Sequence, residues 1–260
     1  MSDDVEKMME AGRSAMLSAD YKVAADKFSA AFLAMDGNRQ DSRWVECGCM
    51  LAESSYMAYG GASLPSQCAE YGGNVAGLLD LLRFRSGEQG NLRVGRTWAR
   101  LAAMSRMNIA GNKPDLGYQY SLHALEMLER GRAPEYELVP VLCTAVACRP
   151  DSRDFFGRVA LIVGMSSADI GKRGNLSRFE QWDRIVRWLG NNPPNSRLAV
   201  IDCCLSAALD CINFEDFYAA ERFLMRAREE ISLPNGMDAG GQYTSFVEQQ
   251  LALVASKKNA

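Results

Sequence analysis

Apolar and small residues recur at helical spacing along almost the whole chain. The clearest run is 213–236. There Phe217, Ala220, Phe223, Leu224, Ala227 and Ile231 fall at the i, i+3, i+4, i+7 positions of one helix face. Arg222, Arg226, Arg228, Glu221, Glu229 and Glu230 take the other positions, which predicts the wet side. Glu215 and Asp216 stand where the first turn starts, so their carboxylates oppose the positive helix end. Pro234-Asn235-Gly236 predicts the stop. Upstream, 198–212 is nearly all apolar and small and predicts a second helix, joined to the first by a short turn. Ala207, Ala208 and Cys211 would let the two helices approach closely, with Ala220 and Ala227 facing them.

The same pattern opens the chain. A helix over 5–18 carries Met8, Met9, Gly12, Ala15 and Met16 on one side, and a helix over 23–35 carries Ala24, Phe28, Ala31, Phe32 and Met35. Gly12 corresponds to Ala208, Ala15 to Cys211, Tyr21 to Phe217, Ala24 to Ala220, Phe28 to Leu224 and Ala31 to Ala227, all at one offset. Each pair answers one steric demand of a tightly packed helix pair. This is a helix hairpin of tetratricopeptide (TPR) type, whose repeat is about 34 residues. One such hairpin cannot bury its apolar face alone, so neighbours must stack on it.

The chain supplies those neighbours. Helices are predicted over 41–59, 65–83, 92–109, 116–128, 136–148, 151–172, 178–189 and 242–254, with 86–91 as a polar turn. The last of them is more polar and would cap the stack. No strand alternation and no interdomain linker interrupts the series. The expected fold is therefore all-α: a single domain over 1–260, built as a TPR-like right-handed superhelical array of antiparallel hairpins with a C-terminal capping helix.

Composition narrows the function. No apolar run approaches the ~18 residues of a membrane span, and the opening MSDDVEKMMEAGR has no signal-peptide core. A cytoplasmic protein is expected, at most peripheral on membranes. A net charge of −3 argues against nucleic acid as the partner. The eight cysteines show no C-x-x-C spacing, so buried reduced thiols are expected rather than a metal centre. With one histidine, His123, triads and two-histidine metal sites have no basis. No P-loop or dinucleotide fingerprint occurs. No enzyme and no cofactor is expected. Arginines cluster at Arg83, Arg85, Arg93, Arg96, Arg100 and Arg106, and again from Arg149 to Arg187. These bands are either solvated helix faces or a docking surface for an acidic partner.

The closing segment, DFYAAERFLMRAREEISLPNG followed by a spacer and a final helix, resembles the C-terminal part of the SNAP family, the soluble NSF attachment proteins, with the gamma branch the nearer. Asp216, Ala219, Ala220, Glu221 and Arg222 match that family's helix residue for residue. Asp20-Tyr21 with Ala24-Ala25 resembles its first hairpin, and Lys172-Arg173-Gly174 leading to Arg178-Phe179 resembles a late one. Outside the closing block these motifs are general to TPR repeats. The resemblance implies an adaptor that grips the coiled-coil SNARE complex through a basic concave face and recruits the AAA+ ATPase NSF. Lys172, Arg173 and Arg178 are the first candidates for SNARE binding because the turn itself matches. Arg93, Arg96 and Arg100 follow from charge clustering alone. No residue is assigned to NSF binding.

Two departures stand out. The family's apolar membrane-touching loop is reduced here to Met16-Leu17-Ser18-Ala19, which makes peripheral membrane contact doubtful. The chain closes on Ser256-Lys257-Lys258-Asn259-Ala260, unlike the family's acidic or apolar end, which puts NSF stimulation in question. A generic TPR-like scaffold for a peptide or helix of an unrelated partner is the rival expectation.

Overall fold

The computed structural model describes residues 2–35, 42–60, 63–84, 87–107, 114–149, 153–166, 168–170, 175–192, 197–233 and 241–259. Among them are twelve α-helices and no strand, so the protein is all-α. In chain order they are α1 (Ser2–Leu17), α2 (Tyr21–Ala34), α3 (Ser42–Tyr59), α4 (Val75–Arg83), α5 (Glu88–Arg106) and α6 (Pro114–Arg130), then α7 (Glu135–Cys148), α8 (Arg153–Ile162), α9 (Arg178–Asn191), α10 (Arg197–Asn213), α11 (Phe217–Ser232) and α12 (Gln242–Lys258).

The helices group into two compact units. One is Met1–Lys113 with Leu122–Ala133, the other Pro114–Ser121 with Pro134–Ala260, the division falling inside α6. In the first unit α2 packs on α1 and α3, and α3 on α4 and α5. Its core holds Met9, Phe28, Phe32, Trp44, Leu51, Leu79 and Trp98, all fully buried or nearly so. Phe32 stacks on Trp44 with centroids 4.9 Å apart. In the second unit α10 is central and packs on α7, α9 and α11, while α12 covers α11. Ala207, Ala208, Ala220 and Ala227 are fully buried, as the close approach of the two helices demands.

Close packing is enforced by glycines that leave no room for a methyl group. A Cβ on Gly12 of α1 would lie 2.7 Å from the Phe28 ring of α2. On α5, a Cβ at Gly95 would lie 2.9 Å from the Leu128 backbone nitrogen. One at Gly131 would lie 2.7 Å from Leu92. These two reciprocal contacts run α5 and the end of α6 antiparallel.

The two hairpins read as equivalent from sequence close in the same way. Ala19 and Glu215 both take left-handed backbone, with φ of 58° and 60°. The next residue, Asp20 or Asp216, donates its N–H to the carbonyl five positions back (Ala15 or Cys211, both 2.9 Å). Its carboxylate then accepts from the first turn of the new helix, from Val23 N–H at 3.2 Å or Ala219 N–H at 3.0 Å. This is a Schellman closure running directly into an N-cap. The same closure ends α6 at Arg132 and α8 at Gly164, with φ of 54° and 73°. Glycine occupies only the last of these four sites. Left-handed backbone costs a side-chain-bearing residue about 1–2 kcal/mol, against the smaller extra entropy that glycine loses on folding. Ala19→Gly and Glu215→Gly are each expected to stabilise the protein by about 0.5–1 kcal/mol in urea titrations. A loss of stability in both would contradict the backbone assigned here.

Three predicted elements differ. The helix over 65–83 is instead a 3-10 turn, Ser66–Cys68, followed by α4. Gly72 and Gly73 have φ of 104° and 74°, and Asn74 restarts the chain by accepting from Gly77 N–H at 2.9 Å. The helix over 151–172 ends at Ile162, because Gly164 closes α8. Beyond it, the Asp169 carboxylate holds a turn by accepting from the Ser166 backbone and hydroxyl at 2.9 and 2.8 Å. The polar turn 86–91 gives way to α5 from Glu88, whose carboxylate faces the positive helix end. The Pro234-Asn235-Gly236 stop lies outside the described residues.

Candidate functional site

In the first unit, the helical period puts Arg93, Arg96 and Arg100 on one face of α5, and all three are exposed. Glu46 and Glu53, seven apart on α3, lie alongside. Arg93 pairs with Glu46, and Arg100 pairs with Glu53 at 3.0 Å. Arg13 of α1 reaches Glu46 from the other side at 3.1 Å and also holds Glu6 at 3.2 Å. The result is a charge ladder across α1, α3 and α5.

The two carboxylates respond in opposite directions. Burial raises the Glu46 carboxyl, but hydrogen bonds and charge from Arg93 and Arg13 outweigh it and hold it below the ordinary range. Glu53 is nearly buried, and there burial outweighs Arg100 and Thr97 and pushes the carboxyl up. The arginine cluster seen in sequence is therefore partly compensated. An arginine carries five N–H donors, so pairing with one carboxylate leaves it able to meet a second acceptor.

Arg178 sits in the second unit. Ser177 caps α9 with a full capping box, in which its hydroxyl accepts from Glu180 N–H while Glu180 accepts from the Ser177 N–H. That cap fixes the start of the helix and places Arg178 against α10. Its Nε lies 3.3 Å from an oxygen of Asp210, and its guanidinium lies 3.4 Å from the centroid of the half-exposed Phe214 ring. Trp182, one turn further, donates its indole N–H to the same Asp210 oxygen at 2.7 Å. Asp210 is 1 % exposed, and burial pushes its carboxyl up against the pull of Trp182 and Arg178. Arg178 thus ties α9 to α10 and keeps about a third of its side chain in solvent. Lys172 and Arg173 lie outside the described residues.

The structure thus places the sequence candidates in two groups. Arg93, Arg96 and Arg100 share a face, while Arg178 belongs to a buried polar cluster in the other unit. Asp210 escaped sequence reasoning, although a lone acid inside the apolar stretch 198–212 was a visible signal. The partners Glu46 and Glu53 carried a weaker one, their seven-residue spacing matching Arg93 and Arg100.

Arg222 of α11 lies over the Phe179 ring of α9 at 4.1 Å. Lys258 lies over the exposed Tyr218 ring at 4.0 Å and holds Glu221 at 2.8 Å. His123 stacks on Trp98 with centroids 4.9 Å apart. Among the described residues no group of three or more His, Cys, Asp or Glu is placed to hold a metal. No described helix is long and apolar enough to cross a membrane. The chain matches no protein-family model, no curated protein and no solved structure.

Proposed function

We propose that this protein is a scaffold of stacked TPR-like hairpins, arranged as a right-handed superhelical array, that works by binding another protein. The partner indicated by the closing segment is the SNARE coiled-coil complex, delivered to an NSF-type ATPase. The observation that carries the scaffold reading is the matched hairpin closure at Ala19-Asp20 and Glu215-Asp216, which repeats one supersecondary unit at distant points of the chain. A helix-hairpin repeat stacks on its neighbours and offers an extended binding surface. The Asp216 to Arg222 match and the exposed Arg93, Arg96 and Arg100 support an acidic helical bundle as partner. Lys172 and Arg173 are retained as candidates on the matching turn. A cytoplasmic location follows from this role.

A second reading, a TPR-like scaffold for an unrelated peptide or helix, is favoured by the pairing of Arg93 and Arg100 with Glu46 and Glu53. The deciding test is a pull-down of assembled SNARE complex by the full chain, with and without NSF and a non-hydrolysable ATP analogue. Binding that then retains NSF is expected. The Lys172→Glu, Arg173→Glu double variant should bind about tenfold more weakly at low salt and converge with wild type at high salt. Failure of folded protein to bind any of a panel of bundles would remove the SNARE reading and leave the generic scaffold.

A further inference from the structure

Seven of the eight cysteines are buried and one is half-buried, and two of them meet. Cys143 of α7 and Cys203 of α10 are fully buried, with their Sγ atoms 3.8 Å apart across an interval of 60 residues. Cys204, next along α10, is buried as well. Cys47 and Cys68 are also neighbours in the first unit, but both are engaged with oxygen. Cys47 donates to the Phe28 carbonyl at 3.2 Å, and Cys68 shares a hydrogen bond with the Ser29 hydroxyl at 3.0 Å. Cys143 and Cys203 meet sulfur to sulfur.

A disulfide needs its sulfurs at about 2.05 Å. Closing from 3.8 Å asks for rotation of one or both side chains. α7 can also yield: Pro140 lies inside it one turn before Cys143, and its nitrogen cannot donate to the carbonyl of residue 136.

We propose that Cys143 and Cys203 are an oxidisable thiol pair that staples α7 to α10 when a peroxide reaches it. Hydrogen peroxide, little larger than water, enters during local opening of the helix pair. One thiolate attacks it, gives a sulfenic acid and releases one water. The second thiol then displaces the hydroxyl, forming the S–S bond and a second water. Two electrons pass from the sulfurs to the peroxide, and both thiol protons leave in water. A dithiol reductant reverses the change. The linkage closes a long loop in the unfolded chain, so the oxidised protein should be the more stable form.

The test treats the reduced full chain with hydrogen peroxide under native conditions. Intact mass, then a peptide map without reductant after alkylation of remaining thiols, are read. The expected result is loss of two hydrogens, a linked peptide pair containing Cys143 and Cys203, and a melting midpoint raised by about 5 °C that dithiothreitol returns to the start. Cys143→Ala and Cys203→Ala should each abolish the linked peptide and the shift. Three outcomes on wild type alone overturn the proposal. Both residues are recovered alkylated, the bond maps to another pair such as Cys47 and Cys68, or oxygen adds to the sulfurs without a bond between them.

Discussion

Trp182→Ala is expected to lower stability by about 3–5 kcal/mol. The side chain is fully buried between α9 and α10, meets Phe156 edge to face at 5.5 Å, and donates to Asp210. Its removal opens a cavity and deprives a buried carboxylate oxygen of its shortest hydrogen bond, two costs that add. Trp182→Phe separates them. The ring space stays largely filled while the donor is lost, and the expected cost falls to about 1–3 kcal/mol. Urea unfolding followed by circular dichroism measures both, and a loss below about 1.5 kcal/mol for the alanine variant would mean that the site collapses around the gap.

The same cluster has a pH signature. Asp210 is raised above its ordinary 3.8 in the folded protein. A raised group contributes stability that is fully present below its unfolded pKa and is lost as pH rises through the folded value. Stability should therefore fall by this component over the interval just above pH 3.8, and Asp210→Asn should remove that fall. Glu53 acts in the same direction and Glu46 in the opposite one, so the difference between wild type and Asp210→Asn isolates the one group. Identical pH profiles for the two proteins would show that the carboxylate is as well solvated folded as unfolded.

Gly95→Val should cost about 2–3 kcal/mol. A methyl group there meets the Leu128 backbone nitrogen at 2.9 Å, and the backbone of the last turn of α6 cannot turn aside as a side chain end can. The two helices must separate, which also lifts Leu92 from its seat against Gly131. Gly157 in α8 is the control, because nothing lies within 4 Å of the Cβ it would gain. Gly157→Ala should stabilise by about 0.5–1 kcal/mol through helix propensity alone. Opposite signs in the same denaturant assay are the expected result. A neutral Gly95→Val would show that α5 and α6 have slack at their crossing.

Helix positions were legible because apolar periodicity is a local property. The segments 5–18, 23–35, 198–212 and 213–236 all lie on or within two to four residues of the helices observed. The breaks were harder to see. Gly72-Gly73 inside 65–83 fits either a packing notch or a chain reversal, and nothing local distinguishes a glycine at φ of 104° from a helical one. The closures at Ala19 and Glu215 carry no glycine signal at all, since packing of the following helix supports the strained backbone.

The charged residues mark the same divide. Sequence picked out Arg93, Arg96 and Arg100 by charge clustering alone, and their three- and four-residue spacing within α5 puts them on one exposed face. It gave no sign that Glu46 would stand between Arg13 and Arg93, or that Arg178 would turn to a buried Asp210.

What the amino-acid sequence determined by itself is an all-α chain, its paired terminal hairpins and the small residues that let their helices touch. All of these depend on spacing along one helix or across one short turn. Tertiary structure alone decided which charges are compensated, which acid is buried and which two thiols meet at 3.8 Å. Those outcomes depend on the rotation of each helix about its axis and on its distance from a neighbour far away in the chain, and only the packed core sets these.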